Sequence, residues 1–352
     1  MFERKDTNVL KGIAILAMIF HHLYPNNTAI PVTDFGSVDL LTLIASEGKV
    51  CVALLTILSG YGLSESFKRV NKEAKFYHLR FCLSHYIQLL SIYWCVYIMR
   101  FIFFRMQGIR MRDIYGNSVK YFVLDILGIG DWFNAVSYIG GWYMSAIVAF
   151  YWLFPLLQWL VKKLKFVPVI IAHLPWVYYL YKGDINMHTD WAPFYISSFI
   201  LGIYLSESGA LNRLKEVRRK PVVIVVTILA LAVAFVLRAI VTLPMDIVLA
   251  VSIICFSITT IGNMKGLNTG LACFGKYSAD IWLMEAGMRG LVANMGLNGY
   301  IMQYVVCMFF ALGIAMLLES IKDGIGITEL VKRVRKRIAN GREITKSKNV
   351  GL

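Results

Sequence analysis

Ten apolar runs divide the chain, at about residues 8–24, 40–63, 78–104, 141–161, 166–181, 191–207, 221–241, 245–261, 270–294 and 298–320. Most are long enough to cross the hydrocarbon core of a bilayer as a helix, which satisfies its own backbone hydrogen bonds there. With 58% hydrophobic and 16% charged residues, the chain lies outside the range of soluble globular proteins. The expected fold is all-α and polytopic, with about ten transmembrane helices. The runs at 166–181 and 191–207 are short enough to be tilted or re-entrant, which leaves nine or eleven crossings open.

Lys and Arg orient such a bundle, because they are retained on the cytoplasmic side. Of the 36 basic residues, 25 fall at the N-terminus, in 65–76, 162–165, 207–220 and 262–276, and from 321 onward. Five fall in the opposite connections, four of them in 105–140, and six lie within the runs. This split fits an even number of crossings with both termini in the cytoplasm. It also accounts for the net charge of +15 without a nucleic-acid partner. The basic stretch Lys332, Arg333, Arg335, Lys336 and Arg337 reads as a solvated or lipid-headgroup-binding helix. An integral membrane domain is therefore expected over 1–320, with a basic cytoplasmic tail over 321–352, in the cell (plasma) membrane. The first run lacks a small-residue cleavage site and reads as a retained helix. The six cysteines show no Cys-x-x-Cys and no zinc-like spacing, so no metal site is expected.

The first run, Val9 to Tyr24, carries Lys11 near its start and His21 and His22 near its end. Eleven residues of helix bring Lys11 and His22 to within about 20° of one stripe, about 16 Å apart along the axis. His21 is rotated by about 100° and points elsewhere unless the helix unwinds before Pro25. Ionisable groups in lipid cost several kcal/mol and are candidates for function. The competing reading has Lys11 snorkel to one interface while the histidines mark the other.

Further ionisable groups lie in other runs. Glu47 and Lys49 point about 200° apart, so each is expected to meet another helix. His78, Arg80 and His85 begin the third run, where cations suit the phosphates of a cytoplasmic ligand; an ordinary basic helix end is the alternative. In the ninth run Asp280 and Glu285 are followed by Arg289. Glu285 either pairs with Arg289 at i,i+4 or orients an imidazole by holding its second nitrogen. The connection 105–140 leads into Trp142 and Tyr143, aromatics that suit an interface anchor or, less commonly, a glycan surface.

Four stretches resemble the integral-membrane acyltransferase-3 family, which includes O-acetyltransferases of bacterial surface polysaccharides. They are Lys11-Gly12-Ile13-Ala14 through His22, Leu58-Ser59-Gly60-Tyr61, Gly141-Trp142-Tyr143-Met144-Ser145-Ala146 to Phe154-Pro155-Leu156, and Phe274-Gly275-Lys276-Tyr277-Ser278 to Trp282-Leu283. The resemblance spans about residues 8 to 320. It implies transfer of an acyl group, commonly acetyl from acetyl-CoA, to a hydroxyl of a glycan or related acceptor, with no permanently bound cofactor. By resemblance, His22 takes the place of the essential histidine, Lys11 that of a first-helix arginine, and Arg80 that of a third-helix arginine. Leu83 falls where a further arginine is often found, and Glu285 where a late histidine is common.

The expected chemistry has acyl-CoA bound from the cytoplasm near Lys11 and Arg80, with its acyl end toward His22. His22 then serves as general base or transient acyl carrier, and Glu285 orients it. Ser59 and Trp142, in the matched motifs, join Lys11 and Arg80 as candidate substrate-binding residues. A transporter or flippase of a glycan or lipid-linked precursor is the rival reading, since carriers also hold charges within their helices.

Overall fold

A backbone placed in lipid has no water to bond, so apolar runs of this length close their hydrogen bonds within helices. A computed structural model of the chain describes residues 2–24, 39–106, 108–135, 141–183 and 192–340, and among these it is helical with no strand. The helices are α1 (Arg4–Leu23), α2 (Leu40–Glu47), α3 (Val50–Phe67), α4 (Tyr77–Met106), α5 (Met111–Tyr115), α6 (Val119–Ile126), α7 (Gly141–Leu164) and α8 (Val167–Lys182). They continue as α9 (Ile196–Ser208), α10 (Ala210–Val217), α11 (Pro221–Val241), α12 (Asp246–Thr259), α13 (Lys265–Lys276), α14 (Ser278–Ala293), α15 (Tyr300–Gly324) and α16 (Ile327–Asn340). Pro25 and the last basic residues of the tail, Arg342, Lys346 and Lys348, lie outside the described residues.

Among the described residues, six helical stretches are long and apolar enough to cross a membrane, and a seventh is formed if α9 and α10, bent by 65°, count as one. The protein is therefore an α-helical membrane protein. Of the other apolar runs, 166–181 forms the 16-residue α8, and 270–294 is divided at Tyr277 between α13 and α14. The run 40–63, one of the six, has a short break between α2 and α3. Along α11, Val222, Val226, Leu229, Val233 and Ile240 each expose nearly half or more of their surface. Such a stripe is untenable in water and natural against lipid.

The chain divides into two compact units, Met1–Ser64 with Leu157–Ala315, and Glu65–Leu156 with Met316–Leu352. In the first, α1 packs chiefly along α13, and also touches α2 and α14. Glycine permits this approach. A Cβ at Gly12 would run into the carbonyl oxygen of Leu271, and one at Gly275 into that of Asn8. Val9, Ile261 and Leu271 seal the seam, with Ile13 and Leu16 against them. A second close pair lies in the same unit, where Gly60 of α3 meets the Phe199 carbonyl and Gly202 of α9 meets that of Ile57.

In the second unit the segment after α4 is a folded cap. Asp125 of α6, 1% exposed, accepts hydrogen bonds from Tyr93 at 2.7 Å and Tyr115 at 2.5 Å, and Tyr97 meets the Tyr115 hydroxyl at 2.8 Å. The indole N–H of Trp94 donates to Ile126 O, and that of Trp132 to Ser145 O. Polar residues in 105–135 thus bind that segment onto α4 and α7.

Candidate active site

The seam between α1 and α13 sets the rotation of α1 and hence the direction of its two histidines. His21 is 6% exposed and its Nδ1 lies 2.7 Å from Ala45 O, near the end of α2. Gly48 ends α2, and a Cβ there would press on His21 Cβ at 2.9 Å, so only a small residue lets the break in the second run sit against α1. His22, one residue on, is turned to α14. Its Nδ1 is 3.0 Å from Oε2 of Glu285, whose side chain is 4% exposed, whereas that of His22 is 38% exposed. The carboxylate is enclosed and the imidazole is partly open.

Arg289 closes the group. Its Nη1 donates to the backbone oxygen of His22 at 2.9 Å, and its Nε lies 3.2 Å from Glu285 Oε1. The Nε–H is not directed at Oε1, which has no hydrogen-bond donor. Glu285 therefore faces both residues that sequence reasoning weighed as alternatives. The bond from Arg289 to the end of α1 was not visible in the sequence, since it joins residues 267 apart. A carboxylate on Nδ1 keeps the ring proton there, so the Nε2 lone pair is available to accept a proton or attack an acyl carbon.

The other candidates are dispersed. Lys11 lies on the unbroken α1, part-buried, with no carboxylate on its ammonium among the described residues. The Ser59 hydroxyl donates to Leu55 O at 2.9 Å within its own helix, and the adjacent Gly60 carries the contact with α9. Arg80 and Trp142 belong to the second unit, where Arg80 is part-buried in the first turn of α4 and Trp142 packs edge-on to Tyr143 at 5.7 Å. Among the described residues no cluster of three or more His, Cys, Asp or Glu could hold a metal ion.

One buried charged group in the first unit was only half visible beforehand. Arg238 of α11, 1% exposed, places Nε 2.8 Å from Asp246 Oδ1 and Nη1 3.5 Å from Glu47 Oε1. Glu47 thus meets another helix, as its position between diverging side chains required. Asp246 sits in the first turn of α12 within a largely apolar stretch, and its partner could not be read locally.

A family model for an acyltransferase domain, that of acyltransferase family 3, matches residues 4–320. The chain belongs to the acyltransferase-3 family. Comparison with curated proteins and with solved structures finds no match. The match runs from the start of α1 to near the end of α15, so the His22–Glu285–Arg289 group lies inside the acyltransferase-3 domain and α16 lies beyond it. With its apolar helices, this acyltransferase-3 chain is a membrane acyltransferase.

Proposed function

We propose that the protein moves an acyl group, acetyl in the simplest case, from cytoplasmic acyl-CoA to a hydroxyl of a cell-surface glycan or related acceptor. In this reading it sits in the plasma membrane as a bundle of about ten spans, with both termini in the cytoplasm. The observation that carries it is the 3.0 Å contact between His22 Nδ1 and the enclosed carboxylate of Glu285, which leaves Nε2 free on a half-open ring.

As general base, Nε2 takes the acceptor proton while the hydroxyl oxygen attacks the thioester carbonyl. Collapse of the tetrahedral intermediate expels the CoA thiolate, which recovers that proton from the imidazolium, and Glu285 stabilises the transient positive charge. In the covalent alternative, Nε2 attacks the thioester carbonyl and expels the CoA thiolate, leaving an acyl-imidazolium; the acceptor hydroxyl oxygen then attacks the acyl carbon, neutral imidazole leaves, and the hydroxyl proton passes to the thiolate. Lys11, Arg80, Ser59 and Trp142 are each, taken singly, candidate substrate-binding residues, the first two as cations for the donor phosphates.

Inverted membranes incubated with labelled acetyl-CoA provide the test. Wild type transfers label to an acceptor and His22→Ala does not; equal transfer by both would overturn the assignment. Label that appears on the protein without acceptor identifies the covalent route, and label that requires acceptor identifies general-base transfer.

A further inference from the structure

The buried ion triad of the first unit joins three helices and takes no direct part in acyl transfer. Arg238 of α11 reaches Asp246 of α12 through Nε at 2.8 Å and Glu47 of α2 through Nη1 at 3.5 Å. Among the described residues both Glu47 carboxylate oxygens, Arg238 Nη2 and Asp246 Oδ2 are buried without a hydrogen-bond partner. A triad this incomplete is a poor source of stability, because charges taken out of water are compensated only when their remaining lone pairs and protons are satisfied. Apolar side chains of similar volume would join the helices as well or better. What the triad adds is a fixed place for the end of α2.

That end is short of other support. α2 is eight residues long, stops at Gly48, and packs against α1 and α11. A cavity of about 420 Å³ borders Glu47 and Gly48, walled by Leu16, Phe20, Phe235 and Leu249, so close packing does not hold α2 on that side. Two residues before Glu47, Ala45 O lies 2.7 Å from His21 Nδ1; a carbonyl only accepts, so Nδ1 carries the proton and donates.

The last turn of α1 is therefore held from two directions. His21 is tied to α2, while the His22 ring meets Glu285 at 3.0 Å and the His22 carbonyl accepts from Arg289 at 2.9 Å, both on α14. The two imidazole centroids are 5.4 Å apart. A side chain about 5–6 Å from a helix axis moves about 1 Å when the helix turns by about 10°. Such a shift takes His22 Nδ1 beyond hydrogen-bond reach of Glu285, and a misplacement of about 1 Å in an active site costs about 10²-fold in rate.

We propose that Arg238 is a positioning residue for acyl transfer: through Glu47 it braces the end of α2 against His21, and so fixes the rotation of α1 that aims His22 at Glu285. The brace is geometric, and only its effect on rate rests on the function proposed above.

Arg238→Gln alone strands a buried carboxylate and tests folding more than aim. The informative variant is Arg238→Gln/Glu47→Leu, which removes one charge of each sign, leaves an amide for Asp246 and turns the cavity wall at residue 47 apolar. The full chain in nanodiscs is compared with wild type by thermal melting, by turnover of labelled acetyl-CoA, and by NMR of selectively labelled histidine. The double variant is expected to melt no lower than wild type, to lose about 10–100-fold in kcat with KM within about twofold, and to lose exchange protection of the His22 Nδ1 proton. His21→Ala is expected to give a similar loss in kcat, and adding it to the double variant no further loss, since both act through Ala45 O. If wild type transfers no acyl group, the functional reading fails, while a His22 signal that differs between wild type and the double variant upholds the brace. A double variant with wild-type kcat per folded molecule and an unchanged His22 signal, whatever its melting temperature, would overturn the proposal.

Discussion

Replacing Glu285 by Gln keeps the shape of the side chain and removes its charge. The carboxylate oxygen is 3.0 Å from His22 Nδ1 in a site where the Glu285 side chain is 4% exposed. An amide has two ways to face the ring. With its NH2 toward Nδ1 it donates, moves the ring proton to Nε2 and removes the lone pair that the reaction uses. With its oxygen toward Nδ1 it preserves the tautomer but no longer stabilises an imidazolium. Unit charges about 4 Å apart at an effective dielectric of about 20 interact by about 4 kcal/mol, an upper figure for that second loss. The expected fall in turnover is therefore about 10²–10³-fold, with little change in apparent donor affinity. Glu285→Asp withdraws the carboxylate by about one bond length, beyond hydrogen-bond reach, and should fall between the two. The assay follows acyl transfer and release of free coenzyme A by protein matched for thermal stability. Because Glu285 also faces Arg289, the double variant Glu285→Gln/Arg289→Gln is the control. Its activity stays low if the carboxylate acts on the imidazole and recovers if the loss came from an uncompensated guanidinium. A folded Glu285→Gln protein within about threefold of wild-type turnover would refute the reasoning, since a lost orienting carboxylate costs far more.

Two further outcomes concern stability. Gly12→Val places a branched side chain against the Leu271 carbonyl, so α1 must leave α13; thermal melting should show a loss of at least about 2 kcal/mol, whereas Gly266→Ala at an exposed position of α13, where a Cβ meets nothing, should be near neutral. Asp39 caps α2 through Thr42 N–H and accepts from the Tyr24 hydroxyl at 2.9 Å, contacts that hold its carboxyl below the ordinary value, the Tyr24 bond first. A depressed folded value contributes stability above the unfolded value, which is lost as pH falls through the folded one. Asp39→Asn should therefore melt lower than wild type at neutral pH, and the difference should close in acid; a difference that persists unchanged below pH about 3 would refute the assignment.

Much of the architecture is legible without coordinates because its causes are local. Hydrophobic length and backbone hydrogen bonding make the chain a helical membrane protein, and the 3.6-residue period places Lys11 and His22 on one stripe of α1 whatever surrounds it. The short motifs around His22, Ser59, Trp142 and Phe274 are contiguous pieces of sequence, so the family to which they belong could be recognised from them. The breaks were harder to see. Gly48 and Tyr277 interrupt long apolar runs, and hydropathy has no term for a neighbouring helix that passes too close to permit a straight continuation.

Only the tertiary structure decided which charged groups meet. His22 finds Glu285 across 263 residues, Arg238 finds both Glu47 and Asp246, and Arg335 finds Ser84 across 251. A helix wheel gives the direction of a side chain relative to its own axis, but a contact requires the rotation, tilt and rise of a second helix as well. Those are set by close approaches such as Gly12 on Leu271 and Gly275 on Asn8, where the absence of one carbon lets two backbones touch. Since such contacts depend on the whole packing at once, the chain determined which groups could do chemistry, and packing determined which of them stand within 3 Å of one another.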